Sequence, residues 1–192
     1  DWRFAQDGGR YRAEVRAADF AYALDLTPDG PPLLNGKAGF SAKAPDPRHA
    51  SYYYSRPQLA VSGTVTLDGR SQPVTGKAWL DHEWSSELMP DGAQGWDWLG
   101  ANLDDGSGLM AFRMRGQDGR PMWAAASWRA ADGTARILTP ADVRFEPLRD
   151  WRSPRTGIRY PVAWRLTVAG RVFELQPLID DQELRSEEHT SE

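Results

Sequence analysis

Seven Asp-Gly pairs punctuate the chain, at 7–8, 29–30, 68–69, 91–92, 105–106, 118–119 and 132–133. Both residues tolerate positive φ, so the dipeptide favours the tight turns that reverse antiparallel strands. From position 68 onward the pairs recur every 13 to 23 residues, and the apolar residues between turns alternate. Val61, Val65 and Leu67 stand against Ser62, Thr64 and Thr66; Met110, Phe112 and Met114 against Arg113 and Arg115; Tyr160, Val162, Trp164, Leu166 and Val168 against Arg159, Arg165 and Thr167. Period two with turn residues between the segments predicts antiparallel sheet. Helical signal is confined to Thr139-Pro-Ala-Asp142, a hydroxyl N-cap followed by proline at the first position. Hairpins without crossover helices predict an all-β barrel or sandwich. The arms around Asp68-Gly69 predict one hairpin over 61–84, with Val65 and Leu67 buried.

Composition narrows the function classes. Lysine and arginine total 23 against 27 acids, a formal net charge of −4 with no block of like charge. That balance lacks the basic face of a nucleic-acid binder. Zero cysteines exclude disulfides, thiolate metal sites and cysteine nucleophiles. Three histidines, at 49, 82 and 189, are too scattered for a histidine-rich metal site, and His82-Glu83 is not followed by the second histidine of a zinc helix. No metal and no cofactor are expected. Apolar runs fall far short of the roughly 20 residues that cross a bilayer as a helix, so stable membrane insertion is not expected either. Asp105-Gly-Ser-Gly108 reads as a hairpin turn, since the Gly-x-Ser-x-Gly of a nucleophile elbow is absent.

The unusual chemistry is concentrated between 76 and 100. Gly76-Lys-Ala-Trp-Leu-Asp-His-Glu-Trp-Ser-Ser86 and Gly95-Trp-Asp-Trp-Leu-Gly100 hold four tryptophans, a histidine and three acids. On a strand, Val74, Ala78, Leu80, His82 and Trp84 share one face, and Trp79, Asp81 and Glu83 share the other. An imidazole beside an indole in an apolar row is either a packed histidine donating to a carbonyl or a proton-handling group in a hydrophobic pocket. His82 and Trp84 are expected to point into a cavity or junction with at least one of Trp96 and Trp98. In Ser51-Tyr-Tyr-Tyr-Ser55, alternation puts Tyr52 and Tyr54 on a common face, as cavity lining or as barrel packing.

These segments, together with Leu103-Asp-Asp-Gly106, resemble the AttH-like proteins, which include the carotenoid 1,2-hydratases, over about Asp1 to Leu184. The resemblance implies antiparallel lipocalin-like barrels in tandem, each incomplete in this chain. Residues 1–86 would be the later part of the first barrel, 87–94 a linker with its Pro90 and Gly92, and 95–184 the earlier strands of the second. The tail 185–192, Arg-Ser-Glu-Glu-His-Thr-Ser-Glu, resembles a translated sequencing adapter and is expected to be artefactual or disordered, leaving His189 without a role.

What the resemblance implies about function takes two forms. One is a hydro-lyase that adds water to an alkene of an apolar, isoprenoid-like substrate, which needs a positioned acid, aromatic faces near developing positive charge and a base for water. His82 and Trp84 match the family's His-x-Trp pair directly, with Asp81 and Glu83 beside them. Trp96 and Trp98 would bind ligand. The family's Tyr-x-Asp pair falls on Asn102 and Asp104, so the aspartate is kept and the tyrosine is not. The other form is a non-catalytic binder of lipid or another apolar small molecule in the cell envelope, periplasmic or exported, working beside ABC transporter components. Small antiparallel barrels enclose one apolar ligand readily.

Overall fold

The structure, a computed structural model, describes residues 1–87 and 89–184. The tail 185–192 and His189 lie outside the described residues. The chain divides into two compact units, Asp1–Ala141 and Asp142–Glu192.

The first unit holds eleven strands: β1 (Trp2–Asp7), β2 (Arg10–Arg16), β3 (Phe20–Thr27), β4 (Leu33–Leu34), β5 (Phe40–Ala42), β6 (Ala50–Leu67), β7 (Arg70–Trp84), β8 (Ala93–Asn102), β9 (Gly108–Gly116), β10 (Pro121–Arg129) and β11 (Ala135–Leu138). All pairing in it is antiparallel. The long β6 is the spine of a seven-stranded sheet: β3, β4 and β5 pair with successive stretches of one edge and β7 with the other. A second sheet runs β11-β10-β9-β8. Neither sheet closes into a barrel.

The second unit is a three-stranded antiparallel sheet of β12 (Val143–Arg152), β13 (Arg159–Val168) and β14 (Arg171–Leu175). A single 3-10 turn, Pro140–Asp142, stands where the Thr-Pro signal predicts helical backbone. The segment after β14 is tied down within this unit. Arg149 takes both carboxylate oxygens of Asp180 at 2.7 Å, and Glu183 accepts from Ser153, Thr156 and Tyr160. Among the described residues no helix is long and apolar enough to cross a membrane.

The predicted hairpin over 61–84 is present. Asp68 and Gly69 take φ of 49° and 75°, the paired positive angles of a type I′ turn, whose twist matches the strands it joins. Val65 is half-buried, but the expectation for Leu67 needs correction: it is 51% exposed. Leu67 pairs with Arg70 on one side and Phe20 on the other. At the hairpin tip alternation aims it at a face that no second layer covers.

Burial is concentrated where β6 and β7 meet the second sheet. Tyr53 packs with Met110, Phe112 and Met114 of β9, flanked by Trp79 and Trp123. The alternation Met110, Phe112, Met114 supplies three inward side chains in a row, and truncating an aromatic such as Phe112 costs about 3–5 kcal/mol. The joint is pinned at a bulge in β6 between Arg56 and Leu59. Gln58 has φ of 59° there, donates its backbone N–H to Asn102 Oδ1 at 2.6 Å, and reaches the carbonyls of Leu103 and Ser107 with its amide. Pro57, which has no N–H for the ladder, precedes it.

Candidate active site

Period-two geometry splits the Asp-His-Glu-Trp segment between two environments. Trp79, Asp81 and Glu83 face the second sheet; His82 and Trp84 face away from it. Opposite them on β6, Tyr53 pairs with Glu83, Tyr54 with His82 and Tyr52 with Trp84. Two separate constellations result.

The inward constellation surrounds a small half-open cleft of about 60 Å³ lined by Lys43, Tyr53, Glu83, Trp96, Trp98, Phe112 and Met114. That volume is small beside the roughly 300–1,000 Å³ of enclosed ligand sites. It suits one end of a molecule. Trp96 and Trp98, 53% and 45% exposed, extend the apolar wall outward where the rest of a ligand would lie.

Two polar pairs border this cleft. In the first, the Tyr53 hydroxyl accepts from the Trp98 indole N–H at 3.0 Å, and the Asp81 carboxyl is near enough to couple to it electrostatically. Asp81 Oδ1 also accepts from Ser55 at 2.6 Å and from Trp79 Nε1 at 2.8 Å. Asn35 donates to Ser55 at 2.9 Å behind it. Burial pushes the Asp81 carboxyl above the usual carboxylate range; the Ser55, Trp79 and Tyr53 donors pull the other way without cancelling it. Burial likewise raises the Tyr53 phenol far above its ordinary value, so the hydroxyl keeps its proton.

In the second pair, Lys43 Nζ lies 2.7 Å from Glu83 Oε1 and donates to Ser41 Oγ at 3.1 Å, while Ser51 holds the same Glu83 oxygen at 2.5 Å. The ammonium sits 4.3 Å from the Phe112 ring centroid and 4.9 Å from that of Tyr53, close enough for cation–π attraction. Lys43 is only 5% exposed, and burial lowers its pKa against the opposing pull of Glu83 and Asp81.

The outward constellation is an aromatic row. Phe40 meets Tyr52 edge-on, Tyr52 stacks on Trp84, Trp84 meets His82 edge-on at 5.0 Å, and His82 stacks on Tyr54 at 5.3 Å. Tyr54 Oη is 3.4 Å from His82 Nδ1. Phe40, Tyr52, His82 and Trp84 are exposed.

The structure therefore joins Asp81 and Glu83 with Trp96 and Trp98 but does not bring His82 and Trp84 to them. The expectation of one shared cavity is corrected by the alternation itself, which sends neighbouring residues of β7 to opposite faces. The same rule places Tyr52 and Tyr54 in the outward row and gives the cleft Tyr53. Asn102 is engaged in the sheet joint, accepting from Gln58 and donating to Ala78 O at 3.1 Å. Asp104 stands exposed in the β8–β9 turn, outside the cleft lining. Sequence reasoning missed Lys43, Tyr53, Ser51 and Ser55. The serines flanking the tyrosine run were the available signal, since they share an inward face with Tyr53. Lys43 carried none, because a single lysine in a Pro-rich stretch reads as surface. Among the described residues no group of three His, Cys, Asp or Glu side chains could hold a metal ion.

A sequence model described as AttH-like matches residues 1–191. A crystal structure of a Nitrosomonas europaea protein described as an AttH is similar at TM-score 0.91 and 51% identity, covering 96% of this chain and 58% of that one. The crystal structure of kievitone hydratase from Nectria haematococca is similar at TM-score 0.74 and 19% identity, covering 93% of this chain and 55% of that one, a likeness of fold. The chain thus spans little more than half the length of either. No curated protein matches it significantly in sequence.

Proposed function

The chain belongs to the AttH-like family, and we propose that its first unit holds one end of an apolar ligand in the tryptophan-walled cleft and adds water there across a carbon–carbon double bond. The observation that carries this reading is the Trp98–Tyr53 hydrogen bond with the Asp81 carboxyl, held by Ser55 and Trp79, beside it: a buried phenol at the cleft wall, coupled to a carboxyl that burial keeps protonated to higher pH than usual.

The geometry supports the following sequence. Protonated Asp81 donates to Tyr53, which releases the phenol hydrogen toward the cleft. Tyr53 gives that proton to one alkene carbon. Water supplies hydroxyl to the other carbon and its remaining proton returns through Tyr53 to Asp81, so nothing is oxidised or reduced. Trp98 N–H holds the phenol oxygen in place throughout. The Trp96 and Trp98 faces supply the apolar contact area, at roughly 25 cal/mol per Å² buried. A hydratase among the fold neighbours names the reaction class to assay first; at 19% identity it adds nothing about substrate.

The test is turnover and affinity measured side by side on terpenoid alkenes. Tyr53→Phe is expected to remove hydration while apolar-ligand affinity stays within a few-fold, and His82→Ala on the opposite face is expected to retain turnover. Loss of hydration in His82→Ala with retention in Tyr53→Phe would move the chemistry to the outward aromatic row. Binding without hydration of any alkene would leave an apolar-ligand carrier, the reading that suits a cell-envelope partner of a transport system.

A further inference from the structure

We propose that the ligand enters the cleft with a carbonyl oxygen that Lys43 receives, so that the alkene hydrated there is one conjugated to a carbonyl and not an isolated hydrocarbon double bond. This rests on the cleft being the ligand site.

The sign of the local charge decides it. An isolated alkene protonated at carbon becomes a carbocation, and the aromatic faces that would stabilise one are those of Tyr53 and Phe112. Lys43 already occupies both, with its ammonium 4.9 and 4.3 Å from their centroids. A second positive charge beside it is repelled. Negative charge developing on an oxygen is attracted instead, and buried donors stabilise such charge more strongly than they would in water.

Donor arithmetic points the same way. An ammonium has three N–H groups. Among the described residues, Glu83 Oε1 and Ser41 Oγ are the acceptors that meet it, at 2.7 and 3.1 Å, and Lys43 lines the cleft. Its remaining hydrogen is available to a ligand acceptor. Because Glu83 already supplies the lysine with its carboxylate partner, a neutral oxygen fits the remaining N–H better than a second carboxylate. The cleft's small volume matches a carbonyl and the carbons next to it, with the apolar remainder over Trp96 and Trp98.

With such a ligand, water adds to the β carbon and the π electrons move onto the carbonyl oxygen, where the Lys43 N–H holds the enolate. The α carbon takes a proton from Tyr53 as the carbonyl re-forms, protonated Asp81 refills the phenol, and the second proton of the added water returns through Tyr53 to the Asp81 carboxylate that this leaves. One hydrogen and one hydroxyl are added, and no oxidant, reductant or metal is consumed.

The test compares an eight-carbon methyl ketone with the terminal alkene and the carboxylate of the same length, by calorimetric titration and by the infrared carbonyl stretch of the bound ketone. The ketone is expected to bind about tenfold or more tighter than the alkene, as a hydrogen bond to a charged donor implies, with its stretch moved to lower wavenumber. The carboxylate is expected to bind more weakly than the ketone. Lys43→Met should erase the preference and the spectral shift, and Lys43→Arg should keep a shift. Alkene binding equal to ketone binding, or a carboxylate preferred over the ketone, overturns the proposal while leaving the cleft as an apolar site. So does a preference that survives Lys43→Met. Should Lys43→Met fail to fold, the unshifted or shifted carbonyl stretch in the unmodified chain decides. If none of the three ligands binds, the cleft reading falls with it.

Discussion

The indole N–H of Trp98 on β8 lies 3.0 Å from the hydroxyl oxygen of Tyr53 on β6, a bond that crosses from one sheet to the other. It ties the tryptophan-rich strand of the second sheet to the tyrosine run of the first, and because the phenol oxygen is the acceptor, the phenol hydrogen is left to donate. Both side chains line the same cleft, so the contact that joins the sheets also positions the candidate acid–base group.

Tyr53→Phe leaves the ring packing in place and removes only the hydroxyl. The Trp98 N–H loses its partner, and an unmet buried polar group costs about 1–3 kcal/mol. A lower midpoint in urea, an unchanged m-value and a loss of turnover by about 10² to 10⁴ are the expected results. A variant with full turnover would assign Tyr53 to structure alone.

Asp81→Asn tests the raised carboxyl through pH. A folded-state pKa above the unfolded one means the native state binds the proton more tightly, so Asp81 weakens stability as pH rises through its folded pKa and has no such effect below its unfolded value. Asparagine keeps an oxygen for Ser55 and Trp79 but carries no charge to bury. The melting-temperature difference between Asp81→Asn and the unmodified chain is therefore expected to be more favourable to the variant at pH 8 than at pH 4. A difference independent of pH would show that burial does not perturb this carboxyl.

Gly100→Ala tests whether a missing side chain sets the tryptophans. A Cβ at position 100 would lie 2.6 Å from a Trp98 ring carbon and 2.8 to 2.9 Å from Trp79 ring atoms. Both indoles must shift, taking with them the N–H groups that hold Tyr53 and Asp81. Overpacking of this kind costs about 1–3 kcal/mol. The variant should also show altered tryptophan emission and weaker ligand binding, whereas Gly76→Ala, with open space at its Cβ, should show neither.

In the second unit, Glu183 fastens the segment after β14 to the β12–β13 turn. Its carboxylate accepts from Ser153 and Thr156, and then from Tyr160, which together hold its pKa down to about 2. A lowered carboxylate pKa contributes stability above the unfolded value and loses it as pH falls toward 2. The protection of amides within residues 153–156, taken as observed exchange relative to the intrinsic rate at each pH, should be high at pH 7 and fall as acid is added, and Glu183→Gln should be poorly protected at both. Equal protection in the variant would show that the carboxylate charge does not hold the turn.

Much of the strand structure was legible in the chain. The Asp68-Gly69 turn, the alternation of Met110, Phe112 and Met114, and the division of residues 79 to 84 between two faces all follow from local rules, because turn dihedrals and the pleat depend on a few neighbouring residues. Which face of β7 would meet a second layer did not follow. Period two places Asp81 with Glu83 and His82 with Trp84, yet both faces carry an aromatic and a titratable group, so local pattern gives neither priority. That choice is made by contacts distant in sequence: Trp98 reaching Tyr53 across 45 positions, Asn102 meeting Gln58 across 44, and Lys43 meeting Glu83. Each contributes only once the sheets have packed, when removal of water turns a lone lysine and a central tyrosine into strong interactions. The turns and the strand faces were thus determined by the sequence itself, and the cleft with its charges was decided by tertiary packing, since burial and opposite charge act through space and leave no period along the chain.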